Sequence, residues 1–480
     1  MIKKGGYSMT KYNKVTPDVA NALKQICGEK NVIYENKEEL SLYSYDEAGK
    51  LFARMPEIVV KPQNTDQVSK VMKLANENII PVTPRAAGSG VAGAAIPLEG
   101  GIVLSVEKMN KILEINKIDR VAVVEPAVVT NDLCERVLEE GLLYAGYPMS
   151  VEMSFIGGNV ATNAGGDKVI KYGSTRKHVL GLEVVLANGS VLNLGGRIRK
   201  QTWGYDLMDL MIGSEGTLGI FTKIILNLLP ALGKTATLLV PFDNIEKTTE
   251  AVSSIILAIK KLPVTVEFMD KISVELSSKY LKTTIPFQDK AQAYLIIEVD
   301  GDSQQELEAT YQKAGEVCLK NGALDVFIGD DRKSSESIWK TRMVFAEALR
   351  LADPYVSLSG DVVVPTSKVT ELMEKTINIA NKYRVKVAIA AHIADGNLHP
   401  ELFKPDYVSL EDWPELAEKI YDEITQEAIK LGGVGSGEHG VGFLKRDIFL
   451  NTKPQIELDI ARGIKKLFDP NNILNPGKII

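Results

Sequence analysis

Apolar and polar positions along the chain change rhythm near Pro56 and again near Pro230. Residues 1–55 read as a helical lead-in. Glu57-Ile-Val-Val-Lys-Pro is a strand-like apolar run, Asn64 and Thr65 are capping residues for an amphipathic helix over 66–78, and Ile79-Ile-Pro-Val-Thr-Pro reads as the next strand. A second such unit puts a strand at 121–125, a helix at 131–140 and a stop at Gly141. Beyond Pro230 the alternation becomes more regular. Strands are predicted at 235–241, 264–268, 293–299 and 323–328, with helices at 245–261 and 304–321. Two consecutive strand–helix–strand units of this length predict a ferredoxin-like sandwich with helices on one face. Further helices are predicted at 336–351, 369–383 and 415–431, with short strands between them, including one at 385–391. The chain therefore reads as α+β: the lead-in (1–55), a first domain (56–230) and a second domain (231–480).

Length and charge narrow the class. The 480 residues suffice for two well-buried cores. With 56 basic against 62 acidic side chains the net charge is −6, which leaves no general basic surface for nucleic acid. No apolar run reaches membrane-spanning length; the stretch 219–229 is interrupted by Lys223. The start has two lysines but no apolar core, so it does not read as a secretory signal, and the expected compartment is the cytoplasm. Cys27, Cys134 and Cys318 are too scattered to form an iron–sulfur ligand set or a disulfide framework.

Glycine is dense from 56 to 230. Gly88-Ser-Gly90-Val-Ala-Gly93 matches the dinucleotide fingerprint literally, but that motif needs a helix to open at the turn, and Pro97 and Gly100-Gly101 follow too soon. A Rossmann domain is excluded. Residues 84–94 carry almost no side-chain bulk apart from Arg85, so their N–H groups can wrap a diphosphate as a nest; the alternative is a flexible surface loop. Ile156-Gly-Gly-Asn-Val-Ala-Thr-Asn-Ala-Gly-Gly166 would let a flat ligand press on the backbone, with Asn159, Thr162 and Asn163 as hydrogen-bonding heads. Gly213-Ser-Glu-Gly-Thr-Leu-Gly219 precedes a strand rather than a helix. Three such clusters in one domain point to an extended cofactor lying along the chain.

Of four histidines, three fall in the second domain. His392-Ile-Ala-Asp-Gly-Asn-Leu-His399 sets a turn-forming Asp-Gly-Asn between two of them, so a hairpin would bring both imidazoles to one end of a sheet. Glu438-His439 sits in the glycine-rich loop 435–442. Taken singly, each histidine reads as a satisfied structural residue. Two imidazoles and a carboxylate together form a ligand set for an open divalent site, with the remaining histidine as a base. His178 reads as structural. Trp339 and Arg342 share a helix face with Ala346; Arg342 could clamp a carboxylate bidentately, or equally be a solvated helix residue.

These motifs in combination resemble the FAD-linked dehydrogenases of the vanillyl-alcohol-oxidase/p-cresol-methylhydroxylase (PCMH) fold, in the branch that holds the glycolate oxidases and D-lactate dehydrogenases. The likeness runs from Pro56 to the closing Asn475-Pro-Gly-Lys. It implies a PCMH-type FAD-binding domain over 56–230, and a substrate (cap) domain over 231–480 whose tail, from about 470, returns to the FAD. By that likeness Arg85, Ala86, Ala87, Gly88, Ser89 and Ala94 hold the diphosphate. Pro148, Ser154, Gly158, Asn159, Ala161 and Thr162 line the flavin, Ile220 meets the adenine side, and Asn475 closes over the cofactor. Pro84, Gly90, Gly157, Gly165, Glu215 and Gly219 complete the cofactor set. Members that tether FAD covalently carry a histidine beside the loop glycine; Ser89 stands there, which implies non-covalent FAD.

The resemblance also implies a divalent iron, zinc or manganese ion on His392, His399 and Glu438, with His439 as base and Arg342 on the substrate carboxylate. Ala394 replaces a glycine usual in the family's first histidine motif, a small change in the turn. The implied activity is oxidation of a small 2-hydroxy acid, lactate to pyruvate, with hydride passing to the flavin; glycolate and D-2-hydroxyglutarate are the alternatives. A non-redox transferase on the same flavin fold and a flavin-free metallohydrolase are the readings from other classes. Having no cluster cysteines, the chain resembles most closely the lactate dehydrogenase subunits that pass electrons to an electron-transferring flavoprotein in a bifurcating complex.

Overall fold

A computed structural model describes residues 12–357 and 360–480; the first eleven residues of the lead-in lie outside them. Among the described residues the strands form four sheets, of four, five, two and seven strands. The first has four strands in the order Val32–Tyr34, Ile58–Val60, Ile102–Ser105, Val82–Arg85. The last three are parallel, and their β-branched runs are almost entirely buried, as strands covered on both faces require. The lead-in is thus not purely helical: Val32–Tyr34 pairs antiparallel with Ile58–Val60, and the helix Pro17–Cys27 buries Val19, Ala20 and Leu23 in the same core. Asn64 caps the helix Thr65–Glu77 by accepting the Gln67 N–H, which satisfies one orphan donor of the first turn.

The second sheet is antiparallel: Ile112–Asn116, Val121–Val124, Ile220–Asn227, Val179–Val185, Val191–Gly195. No helix follows Gly93; the chain turns directly into the strand Ile102–Ser105, so the Rossmann reading fails in the structure as it does in the sequence. Residues 156–162, by contrast, form a short helix, Ile156–Thr162, which ends on Asn163 in the left-handed region.

After Leu229–Pro230 pairs with Leu142–Leu143, the chain enters a seven-stranded antiparallel sheet. Its order is Phe327–Gly329, Lys234–Phe242, Ala293–Gly301, Thr265–Asp270, Val387–His392, Asn397–Leu402, Val362–Val363. The first four strands, taken in chain order, lie 4-1-3-2, the ferredoxin-like arrangement. The helices Ile245–Ile259, Gln304–Lys320, Val369–Lys382 and Trp413–Lys430 bury their apolar stripes on one face. The single helix expected over 336–351 is two, Arg332–Met343 and Phe345–Ala352, broken at Val344. Arg342 and Phe345, on either side of the break, both meet the opposite face of the sheet. The tail binds back to the first half: Val82 and Leu474 form a parallel bridge, and Lys478 donates to the Ile96 carbonyl at 2.5 Å.

Candidate active site

Residues directly opposite in an antiparallel sheet share a face. The hairpin pairs His392 with Asn397 and Ala390 with His399, and Met269 pairs with Ala390. Glu267, His392, Asn397, His399 and Glu401 therefore stand on the face away from the covering helices. Gly396, at φ +76°, closes the turn where a Cβ would fall 2.0 Å from the Val364 carbonyl, so only glycine fits.

His392 and His399 lie edge to face with ring centroids 5.2 Å apart. Both spend Nδ1 on the protein: His392 on Glu267 Oε1 at 2.5 Å, His399 on the Gly360 carbonyl at 3.0 Å. This leaves both Nε2 atoms turned toward Glu438 Oε1, at 3.5 and 3.3 Å. One donor atom from each of the three residues lies within 4.8 Å of the others. His399 Nε2 is buried without a hydrogen-bond partner among the described residues, an arrangement a divalent cation satisfies. Burial opposes charge on His392, but Glu267 and Glu438 outweigh it and hold the imidazole well above its ordinary value.

His439 stacks on His399 at 5.4 Å. Burial depresses its pKa to about 4, so it is neutral at neutral pH. Its loop is held by a residue the sequence reading missed. Asp361 accepts from the backbone N–H of His439 at 2.9 Å, Ser436 Oγ at 2.6 Å, Asn397 Nδ2 at 2.9 Å and Lys445 Nζ at 3.2 Å. Burial alone would raise this carboxyl; Lys445 and the neighbouring histidines keep it well below the usual range. Glu267 was missed too, although an acid set between Val266 and Phe268 in the wholly buried strand Thr265–Asp270 is a legible signal, since a buried charge demands partners. Arg342, 7% exposed, places Nε 2.8 Å from Glu267 Oε2. Arg342 lines a cavity, and its terminal nitrogens have no hydrogen-bond partner among the described residues. Glu401 lies on the same wall, its Oε2 without a partner among the described residues.

These groups open into one cavity of about 560 Å³. Its walls include Pro84, Arg85, Ala86, Ala87, Gly88, Ser89, Gly90, Ala94, Pro148, Ser154, Gly157, Gly158, Asn159, Ala161, Thr162, Gly165, Glu215, Gly219 and Ile220 from the glycine-rich half. From the other half come Arg342, His392, His399, Glu438 and His439. The N–H groups of Ala87, Gly88, Ser89 and Gly90 find no acceptor among the described residues, which fits an anionic diphosphate. Arg85 lies beneath this loop, donating to the Tyr45 carbonyl at 2.7 Å, and a Cβ on Gly88 would strike its guanidinium.

Some expected contacts are spent elsewhere. Asn159 donates to Thr130 Oγ1, Thr162 to the Gly158 carbonyl, and Asn163 Oδ1 accepts from Ser174 and Arg176. Polar heads inside the fold need internal partners, so this segment offers a ligand mainly backbone. Asn475 stands behind the wall, donating to the Ala94 and Glu215 carbonyls. His178 is buried, with Nε2 on the Tyr172 carbonyl.

Among the described residues no helix is long and apolar enough to cross a membrane. The FAD binding domain profile matches residues 56–195, and that of FAD linked oxidases, C-terminal domain, matches residues 233–479. The chain is 38% identical to glycolate oxidase subunit GlcD of Bacillus subtilis, over 97% of each chain. It is 37% identical to a D-lactate dehydrogenase of Anaerostipes hadrus, over 98% of each. Its fold superposes on p-cresol methylhydroxylase with a TM-score of 0.80 at 21% identity, covering 96% of both chains. The chain belongs to the FAD-linked oxidases of the glycolate oxidase GlcD and D-lactate dehydrogenase family, with the PCMH fold, and is an enzyme of the FAD-linked 2-hydroxyacid dehydrogenase and oxidase class.

Proposed function

We propose that this enzyme oxidises a small monocarboxylic 2-hydroxy acid, D-lactate to pyruvate, and passes the electrons to an electron-transferring flavoprotein in the cytoplasm. The observation that carries the reading is that His439, Arg342 and the His392/His399/Glu438 cluster face the same cavity as the loop 84–94 and the segment 156–165. Arg85–Gly90, with Ser89 beside the loop glycine, would hold FAD non-covalently, and the flavin when bound would supply a hydride acceptor. His392, His399 and Glu438 would hold a divalent cation, whose Lewis acidity would act on the substrate's hydroxyl and carboxylate oxygens.

The chain's own groups do the rest. His439, uncharged at neutral pH, takes the hydroxyl proton. Arg342 turns its terminal nitrogens to the carboxylate and fixes the direction in which the α-hydrogen points. Asp361 and Glu215 hold the loop that carries Glu438 and His439. The names of the similar proteins, a glycolate oxidase subunit and a D-lactate dehydrogenase, support a small 2-hydroxy acid. The acceptor proposal rests on the three scattered free cysteines, which provide no cluster ligands. Anaerobic addition of D-lactate to the yellow enzyme tests the reaction: bleaching of the flavin band is expected, and an unchanged spectrum would refute it. Co-elution and electron exchange with the flavoprotein's two subunits test the acceptor.

A further inference from the structure

Glu267 lies fully buried at the centre of the seven-stranded sheet. Its two oxygens serve two recognition groups: Oε1 meets His392 Nδ1 at 2.5 Å, and Oε2 meets Arg342 Nε at 2.8 Å. The Arg342 guanidinium also rests over the Phe345 ring, 5.7 Å from its centroid, which fixes the plane of the fork. The carboxylate clamp and one ligand of the cation cluster thus share a single carboxylate in a water-excluded place, where charge redistribution is felt strongly.

Sharing has a direction. A carboxylate bound on the outer nitrogens of Arg342 draws the guanidinium charge away from Glu267. The Glu267 oxygens then hold the Nδ1–H of His392 more firmly, and a firmer hold on one ring nitrogen makes the other a better donor to a cation. In reverse, a cation on His392 Nε2 draws Glu267 toward the imidazole and frees Arg342 charge for the ligand. We propose that Glu267 is a positioning residue that couples the Arg342 carboxylate clamp to the His392/His399/Glu438 cation site, so that filling either site tightens the other. This rests on the cation and clamp reading proposed above.

The test uses the FAD-loaded enzyme, manganese(II) as the cation, and propionate, which carries the carboxylate but has no 2-hydroxyl with which to chelate. Manganese affinity is measured by chelator competition with and without saturating propionate. In the wild type propionate should tighten manganese about fivefold, and manganese should tighten propionate by the same factor, as linkage requires. Glu267→Gln should weaken manganese about 10–100-fold and abolish the propionate effect. Glu267→Asp, which keeps the charge but is too short to reach both partners, should abolish it too and serves if the glutamine variant does not fold. A propionate effect that persists in either variant, or is absent from the wild type, overturns the coupling. A Glu438→Gln arm separates the two levels: if manganese binding does not depend on Glu438, the cation reading itself fails and the coupling falls with it.

Discussion

Glu215, in the FAD-binding half, accepts the backbone N–H of Val441 at 2.6 Å with one carboxylate oxygen, and the other oxygen takes the N–H of Gly442 at 2.7 Å. This fastens the loop of Glu438 and His439 to the first half from beneath, while Asp361 holds the same loop from the second. Burial makes the latch costly to disturb, because both N–H groups would be left without acceptors. Glu215→Ala should lower stability by about 2–3 kcal/mol and reduce kcat, read by thermal unfolding of the FAD-loaded enzyme and by steady-state rates. Glu215→Gln, which keeps one acceptor, should fall between.

Removing the base should separate binding from chemistry. His439→Asn should retain FAD and the cation, since neither is held by the imidazole in the proposed arrangement. Flavin reduction by D-lactate, followed by stopped flow, should slow by about 10²–10⁴-fold. A rate near wild type would show that the proton leaves by another route.

Stripping the cation with a chelator should stop turnover and leave the yellow colour, and adding manganese or zinc should restore activity. His399 has a buried Nε2 with no hydrogen-bond partner among the described residues, facing Glu438 at 3.3 Å, so His399→Ala should lose the metal, measured as metal content per flavin. One metal per chain in the wild type and about none in the variant is the expected pair.

Asp46, 3% exposed, has its pKa raised to about 6 by burial, against the lowering pull of the Ala48 and Ala95 N–H groups and of Arg85. In the unfolded chain its pKa is about 3.9. Between these values the folded protein holds more protons than the unfolded one, so this group's stabilising contribution is complete below about 3.9 and is lost as the pH rises through 6. Asp46→Asn removes the titration. The variant should therefore gain on the wild type by about 1–3 kcal/mol between pH 4 and pH 7, read from denaturant unfolding at the two pH values. A constant difference would show that Asp46 is charged throughout.

Gly88 sits at φ +76° directly over the Arg85 guanidinium. Gly88→Ala should cost about 1–2 kcal/mol for the left-handed backbone and push Arg85 aside. The measurable result is FAD released more readily on dilution, by about tenfold or more in dissociation constant.

Much of this site was legible along the chain, and the reason is spacing. His392 and His399 flank a turn, and a seven-residue separation across Asp-Gly-Asn brings them together through local hairpin geometry alone. The loop 84–94 stands out through what it lacks, side chains, and the proline at 97 excludes a helix without any tertiary information. The repeated strand and helix periods foretold the ferredoxin-like half. By contrast, the helix break at Val344 left no proline or glycine to mark it.

What the sequence by itself determined is therefore the inventory and the local geometry: a glycine-lined ligand loop, a histidine hairpin, a Glu-His loop, and an arginine on a helix. Only the tertiary structure decided which of these meet. Glu267 stands 125 positions before His392 and 75 before Arg342, and Glu215 stands 226 before Val441. No local period links residues so far apart. They are brought together because a buried carboxylate must find donors, and folding a sheet from distant strands and docking the two halves across one cavity supply them. The same demand gave Asn159, Thr162 and Asn163 internal hydrogen-bond partners, while Asn159 and Thr162 still line the cavity.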